Sequence, residues 1–251
     1  MTVTRDPPRT IGETVRLAAD WLARKGVPSA RLDAELLAAE VCGLRRLDIF
    51  LSPERPLTAG ERDRLRELVR RRGRGEPVAY LLGRKEFYGL EIHVNPSVLI
   101  PRPETESLVD AVLDRVSSEK LNRPRIVDVG TGSGAIACAL ASRIPGAEVL
   151  GVDLSEAALE TARQNARRLG LEDRVRWVRS DLLDAVPRHP PWDVVVSNPP
   201  YIAETERSGL DRSVQDFEPP EALFSGPEGV DHRGTRSGST ACAASKPGRW
   251  S

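Results

Sequence analysis

The chain has 251 residues and 39% hydrophobic side chains, enough for one or two domains with a buried core, and its formal net charge is zero. No apolar run approaches the roughly 18 residues of a membrane span, and no apolar signal segment follows the N-terminus, so we expect a cytoplasmic protein without membrane contact. Isolated histidines and cysteines predict no metal site and suit a reducing compartment; the cysteines are Cys42, Cys138 and Cys242.

The N-terminal region predicts a helical domain over residues 1–75. Apolar side chains recur at helical spacing over 11–22 and again over 32–41. Thr58 and Glu61 match a capping box, in which each side chain accepts the other's backbone N–H, so a further helix should begin there. The region shows no paired carboxylates on an apolar face and no nucleophile with a base. We therefore predict that it serves for docking.

Two further patterns belong to this domain. A short apolar run at 47–51 is expected to form a turn. Basic side chains outnumber acidic ones by 16 to 11 over 1–75, and they concentrate in Arg70-Arg-Arg-Gly-Arg74. This cluster is either a solvated helix end, where cations suit the helix dipole, or a contact for nucleic acid or an acidic, RNA-associated partner. We favour the solvated helix end.

Residues 76–100 predict a linker that carries a β-hairpin, with Gly89 in its turn. The segment Pro101-Arg-Pro-Glu-Thr-Glu106 then precedes an apolar run at helical spacing. Proline suits the first helical position and acidic side chains suit the positive end of the helix dipole, so this segment predicts the start of a helix.

The spacing of the apolar residues changes at Arg125, and the new pattern predicts an α/β domain, which we place at 101–225. Short apolar runs that alternate with helical patterns indicate a parallel, Rossmann-like sheet with right-handed crossovers. The predicted strands lie at 126–129, 148–152, 175–178 and 194–197.

A glycine-rich loop, Gly130-Thr-Gly-Ser-Gly134, lies between the first of these strands and its helix. Glycines let the backbone approach a ligand closely, with the helix N-terminus facing it. Asp153 follows Gly130 by 23 residues, about the spacing at which a carboxylate takes ribose hydroxyls. Together they predict a nucleoside-type cofactor. Because Ala135 completes the relaxed dinucleotide fingerprint, NAD remains an alternative at this point.

The fourth predicted strand ends in Asn198-Pro-Pro-Tyr201. The prolines stiffen this loop and leave its carbonyls free to accept hydrogen bonds. Hydride transfer has no evident use for such a loop, whereas methylation of a planar nitrogen does. The N–H groups of that nitrogen can donate to the Asn198 side chain and the Pro199 carbonyl, while Tyr201 packs flat against the plane. The methyl donor is then S-adenosylmethionine, and in-line positioning supplies much of the catalysis.

Together these motifs resemble the class I S-adenosylmethionine-dependent methyltransferases. More narrowly, the chain is similar to the peptide chain release factor N5-glutamine methyltransferase family (PrmC/HemK), over residues 10–224. The glycine loop from Asp128 to Gly134 and the Asn-Pro-Pro-Tyr motif are shared with many amino-methyltransferases. The specific part is Ile100-Pro-Arg-Pro-Glu-Thr-Glu106, in its place before the cofactor loop.

The resemblance implies methylation of the glutamine side-chain amide in the Gly-Gly-Gln motif of class 1 release factors, by a monomer whose helical domain docks the release factor. It also implies a role for each motif residue. The methionine end of S-adenosylmethionine would contact Gly130, Thr131, Gly132, Ser133 and Gly134, its ribose Asp153, and its adenine Asp181 and Leu182. The glutamine amide would contact Asn198 and Pro199, the expected catalytic residues, with Pro200 and Tyr201. Supporting positions are Pro101, Arg102 and Glu104.

The C-terminal stretch, residues 226–251, departs from the family. It is rich in glycine, serine and arginine without apolar periodicity, which predicts a disordered tail. Family members continue with a helix and further strands, so we expect the C-terminal strands to be missing through truncation or a frameshift.

Two alternatives to release-factor methylation stay open. An N6-adenine or guanine amino methyltransferase acting on DNA or RNA would use the same loop, since those amino groups are also planar. Against it, the chain shows no basic target-recognition region with interleaved aromatics, and its aromatic content is 4%. A binding protein that lost catalysis with its C-terminal strands would retain the cofactor loop.

Overall fold

The fold was examined in a computed structural model, which describes residues 10–200, 202–226 and 241–243. The chain divides into two compact units, the first ending at Leu82 and the second beginning at Gly83. The hairpin predicted for the 76–100 segment therefore belongs to the second unit. The described residues contain no helix with the length and apolar character needed to cross a bilayer.

The first unit is helical. Its apolar faces enclose a core that includes Ile11, Leu22 and Leu37. The helices predicted at 11–22 and 32–41 are confirmed, and Thr58 caps the helix that begins at Ala59 through the predicted reciprocal bonds with Glu61. Its helices are α1 (Ile11–Arg24), α2 (Ala30–Cys42), α3 (Arg46–Leu51), α4 (Ala59–Gly73) and α5 (Val78–Leu82).

Helix α3 corrects the prediction of a turn at 47–51. The Arg45 N–H donates to the Asp48 carboxylate at 3.0 Å, and the Arg45 guanidinium pairs with the same carboxylate. Arg45 precedes the helix in place of the Ser, Thr, Asp or Asn that usually caps a helix start, so the sequence carried no ordinary signal for α3.

The basic cluster after position 69 is partly used inside the first unit. Arg72 Nε donates to Asp33 at 2.6 Å, and Asp33 is 2% exposed. Arg71 grips the Glu76 carboxylate through two nitrogens. Two guanidinium groups of the cluster are thus paired with acidic side chains of the same unit, whereas Arg70 and Arg74 are exposed, and the choice between the two interpretations of the cluster stays a prediction.

The second unit contains the α/β fold that was predicted for residues 101–225. Short 3-10 turns lie at Pro103–Thr105 and Glu204–Gly209. Its hairpin strands are β1 (Arg84–Phe87) and β2 (Leu90–His93), and its sheet strands are β3 (Arg125–Val129), β4 (Glu148–Asp153), β5 (Val175–Arg179), β6 (Val194–Ser197) and β7 (Ala241–Ala243). Its helices are α6 (Glu106–Ser118), α7 (Ala135–Arg143), α8 (Glu156–Arg168), α9 (Arg212–Gln215) and α10 (Pro220–Leu223).

The sheet has the order β5-β4-β3-β6-β7, and each neighbouring pair is parallel. The predicted parallel sheet is confirmed. Because the chain moves outward from β3 in one direction and then returns to its other side with β6, the carboxyl ends of β3 and β6 flank a topological switch point, where ligands bind in such sheets.

Strand β7 falls within the predicted tail at 226–251. It pairs Ala241 with Val195 and Ala243 with Ser197 in register. Three small residues carry no strand signal in the sequence, so this strand was not predicted. Apart from Gly226 and β7, the tail lies outside the described residues, and the prediction of disorder there stays a prediction.

Candidate active site

A cavity of about 400 Å³ opens at the carboxyl ends of β3, β4, β5 and β6. Cavities of this size hold small-molecule ligands and cofactors. Predicted site residues in its wall are Pro101, Gly130, Thr131, Gly132, Ser133, Asp153, Asp181, Leu182, Asn198, Pro199 and Pro200. The fold therefore brings residues that are spread between Pro101 and Pro200 in the sequence into one concave site.

The glycine loop presents its backbone to this cavity. Gly130 and Gly132 adopt φ of +68° and +55°, which glycine tolerates at no steric cost. A Cβ built on either glycine would meet no atom within 4 Å, so their backbone borders open space. This cradle can receive a ligand at van der Waals distance from the main chain.

The last glycine of the loop serves packing instead. Gly134 is not part of the cavity wall; it precedes α7 with φ of +77°. A Cβ there would lie 2.8 Å from the Trp177 ring, and a Cβ on Gly151 of β4 would lie 2.3 Å from the same ring. The Trp177 indole thus packs against both Gly134 and Gly151, and a side chain at either position would clash with it.

Asp153 ties the glycine loop to β4. One carboxylate oxygen accepts from the Gly132 N–H and the other from the Ser155 N–H, both at 2.9 Å. A carboxylate has about four acceptor positions, so two bonds leave capacity for ribose hydroxyls. Asp153 borders the cavity, as its predicted role requires.

Asp128 is a buried carboxyl that the sequence analysis placed in the loop motif without a role. Its Oδ2 accepts from the Thr131 hydroxyl at 2.6 Å and from the Ala137 N–H at 3.2 Å, while its Oδ1 has no hydrogen-bond partner among the described residues. The pKa of Asp128 is raised to about 7, mainly because burial disfavours the charged carboxylate. The two hydrogen bonds lower this pKa, and the nearby Asp153 raises it.

This raised pKa predicts a pH-dependent stability. The group contributes stability that is fully present below its unfolded pKa of 3.8 and is lost as pH rises through about 7. Between about pH 5 and pH 8 the free energy of unfolding should fall by about 2–3 kcal/mol from this group. Asp128→Asn should remove that fall, as measured by urea unfolding of both proteins at each pH. The exposed Asp173→Asn is the control, and parallel pH profiles for wild type and Asp128→Asn would contradict the expectation.

Asn165 joins the hairpin to the glycine loop. It is fully buried in α8; its Oδ1 accepts from the His93 N–H at 2.7 Å, and its Nδ2 donates to the His93 and Ser133 carbonyls at 2.9 and 2.8 Å. One side chain therefore fixes the end of β2 against the cofactor loop. No local sequence pattern predicts this role, because it depends on groups 32 and 72 residues away.

Asp181 and Leu182 follow β5 and border the cavity, as expected for an adenine site. Leu182 has φ of +45°, which is uncommon for a branched side chain and places strain at this turn. Leu154, which is 60% exposed, lines the same cavity next to Asp153 and adds apolar surface that the sequence analysis missed.

The Asn198–Pro200 loop leaves β6 at the opposite side of β3 from Asp153. Ser197 anchors it, since the Ser197 hydroxyl donates to the Val129 carbonyl at 2.8 Å. The Asn198 Nδ2 lies 3.5 Å from the Thr105 Oγ1, a contact that does not use the Asn198 Oδ1, the acceptor atom of the amide. Tyr201 lies outside the described residues, so its predicted contact stays a prediction.

The three predicted supporting residues differ in their position relative to the cavity. Pro101 lines the cavity, whereas Arg102 and Glu104 are not in its wall. Arg102 pairs with the buried Glu218, and Glu104 is exposed. Thr105, which the sequence analysis did not single out, borders the cavity and contacts Asn198. The described residues contain no group of three or more His, Cys, Asp or Glu side chains arranged to hold a metal ion.

A parallel sheet with a glycine cradle after its first strand, an acid after its second and an Asn-Pro-Pro loop after its fourth defines a class I methyltransferase domain. Family models agree. Residues 13–83 match the PrmC N-terminal domain, and residues 106–214 match the methyltransferase small domain.

Curated relatives give the narrower assignment. The release factor glutamine methyltransferase of Rhodopirellula baltica is 43% identical over 230 residues, covering 91% of this chain and 78% of that protein. The MTRF1L release factor glutamine methyltransferase of Homo sapiens is 37% identical over 236 residues, covering 88% and 70%. The chain therefore belongs to the release factor glutamine methyltransferase family. Among solved structures, the human METTL16 N-terminal domain in complex with SAH is 25% identical with a TM-score of 0.39, over 51% of this chain and 55% of that one.

Proposed function

We propose that this chain transfers a methyl group from S-adenosylmethionine to the side-chain amide nitrogen of the glutamine in the Gly-Gly-Gln motif of class 1 peptide chain release factors. The observation that carries the proposal is one cavity, with the glycine cradle and Asp153 beside the stiff Asn198–Pro200 loop. A nucleoside cofactor and a planar amide can therefore occupy the same site.

The cavity suits S-adenosylmethionine in size and chemistry. Gly130 and Gly132 offer backbone to its methionine end, Asp153 offers acceptors to its ribose, and Leu154 and Leu182 offer apolar surface to its adenine. When bound, this co-substrate would supply a methyl group from a sulfonium: the S–C bond breaks as the N–C bond forms, the sulfur leaves as a neutral thioether, and the amide nitrogen releases one proton to solvent. The protein's task is to hold the acceptor nitrogen in line with that methyl group.

The Asn198–Pro200 loop performs this task on the acceptor side. An amide nitrogen is a poor nucleophile because its lone pair is delocalised into the carbonyl. The Asn198 Oδ1 and the Pro199 carbonyl can accept its two N–H groups, which orients the nitrogen and favours localisation of the lone pair as it attacks. Since both prolines fix φ near −65°, these acceptors are held in place before the substrate arrives.

The names of the relatives support the release factor as substrate, and the helical first unit supplies a docking module outside the catalytic cavity. In this proposal the unit from α1 to α5 recognises the body of the release factor, while the cavity admits the motif glutamine.

The proposal is tested with radiolabelled S-adenosylmethionine, a purified class 1 release factor and, separately, DNA and RNA. Label should enter the release factor, and mass spectrometry of its peptides should place one methyl group on the motif glutamine. A release factor with alanine in place of that glutamine is the control and should stay unlabelled. Label on nucleic acid alone would contradict the proposal, and so would bound cofactor with no transfer to any acceptor.

A further inference from the structure

Glu218 is a buried carboxylate that neither the glycine loop nor the Asn198 loop explains. It is 3% exposed and lies between α9 and α10. Its Oε1 accepts from Arg102 Nη2, and its Oε2 accepts from the Ile100 N–H at 3.2 Å. Each partner is more than 100 residues away in the sequence. A charged side chain is rarely buried without a specific partner, so its two bonds define what it does there.

The two bonds join two parts of the cavity wall that are distant in the sequence. Ile100 and Arg102 flank Pro101, and Glu218 immediately precedes Pro219; both prolines line the cavity. The carboxylate therefore fixes the separation of two rigid wall segments. An ion pair with directional hydrogen bonds sets this geometry more narrowly than an apolar contact would.

The segment that begins at Glu218 continues to Ile202, which follows the Asn198–Pro200 loop in the sequence. The Ile202 N–H donates to the Leu223 carbonyl at 3.1 Å, and the Ser225 N–H donates to the Ile202 carbonyl at 3.1 Å. Residues 218–225 thus form a strap tied to 100–102 at one end and to Ile202, just beyond the Asn-Pro-Pro-Tyr motif, at the other. Glu221 and Ala222, in the middle of this strap, line the cavity.

Through Arg102, the ion pair with Glu218 is also connected to Asn198. Arg102 directly precedes the short turn Pro103–Thr105, and Thr105 Oγ1 is the atom beside the Asn198 amide. A shift of the 100–105 segment would therefore move the group that orients Asn198. The glycine cradle and Asp153 are held by other bonds, to β4 and to α8, and do not depend on Glu218.

We propose that Glu218 and Arg102 form a positioning pair that sets the acceptor end of the cavity, where the glutamine side chain is held, without contributing to cofactor binding. This inference rests on the proposed function, because it assigns this end of the cavity to the glutamine acceptor. Neither residue touches the reacting atoms; they act through Pro101, Thr105 and the 218–225 strap.

The test is Glu218→Gln, which keeps the size and an acceptor for Ile100 but removes the charge that holds Arg102. We expect kcat for release factor methylation to fall about tenfold or more, since small misplacements of reacting groups cost that much. The dissociation constant for S-adenosylhomocysteine should stay within about twofold. Arg102→Gln should give the same loss, and the double variant no further loss, because both changes break one contact. Glu156→Gln, which removes an exposed partner of Arg163, is the matched control and should keep wild-type kcat.

Unchanged kcat in Glu218→Gln would overturn the proposal, and so would a fall in kcat matched by an equal loss of cofactor affinity, which would indicate a general structural role. Hydrogen exchange separates this outcome from failure of the proposed function. If wild type methylates no release factor, the proposed function fails, but the positioning pair is still tested by Glu218→Ala, which removes the acceptor of the Ile100 N–H. The Ile100 amide should exchange faster in Glu218→Ala than in Glu156→Ala, and equal exchange in these two variants would overturn the pair itself.

Discussion

Asn198→Ala is expected to lower release factor methylation by about 10²- to 10³-fold while leaving cofactor affinity within about twofold. The substitution removes the side-chain acceptor that orients the substrate nitrogen, and the carbonyl of Pro199 alone cannot fix its direction. The cofactor cradle lies after β3 and β4, whereas Asn198 follows β6, so the loss should appear in transfer and not in cofactor binding. Single-turnover kinetics with saturating cofactor measures the first effect, and calorimetry with S-adenosylhomocysteine measures the second.

The matched control for this experiment is Asn122→Ala. Asn122 is exposed and lies outside the cavity wall, so the same substitution there should preserve transfer. Thr105→Val adds a second comparison: it removes the hydroxyl beside the Asn198 Nδ2 and should lower transfer less than Asn198→Ala. If Asn198→Ala transferred methyl groups at the rate of Asn122→Ala, the acceptor role of this loop would be wrong.

Local signals in the sequence predicted the parts of the fold that local chemistry determines. The capping box at Thr58 marks the start of α4, and the glycine loop with Asp153 marks the order of strand, loop, helix and strand. Because parallel strands bring their carboxyl ends to one edge, the loops that follow three of these strands lie at the same edge of the sheet. Gly130, Asp153 and Asn198, one from each loop, line one cavity there.

The residues that the sequence analysis missed act over long separations. Asn165 and Glu218 have ordinary polar side chains, and only burial gives them a role: each bonds to groups at least 32 residues away. No period or spacing marks such a position, since an exposed Asn or Glu in a helix or loop has the same sequence signature. The same holds for Arg102. Its motif predicted a supporting role, but only the fold shows that its partner is Glu218.

Asp153→Ala is expected to weaken cofactor affinity by about 100-fold or more. Hydrogen bonds to a charged acceptor contribute about 1.5–3 kcal/mol each, and two ribose hydroxyls are proposed to donate to this carboxylate. The substitution also releases the N–H groups of Gly132 and Ser155, which the carboxylate holds at 2.9 Å. Asp173→Ala, at an exposed position outside the cavity, should bind the cofactor as wild type does.

Loss of the ribose contact and distortion of the glycine loop can be separated with a second ligand. S-adenosylhomocysteine and its 2′,3′-dideoxy analogue differ only in the hydroxyls that Asp153 is proposed to bind. Wild type should discriminate between them by about 100-fold, whereas Asp153→Ala should bind both with similar affinity, because the partner of the hydroxyls is gone. If Asp153→Ala retained the full discrimination, the carboxylate would act only by holding Gly132 and Ser155, and the ribose would be bound by other groups of the cavity.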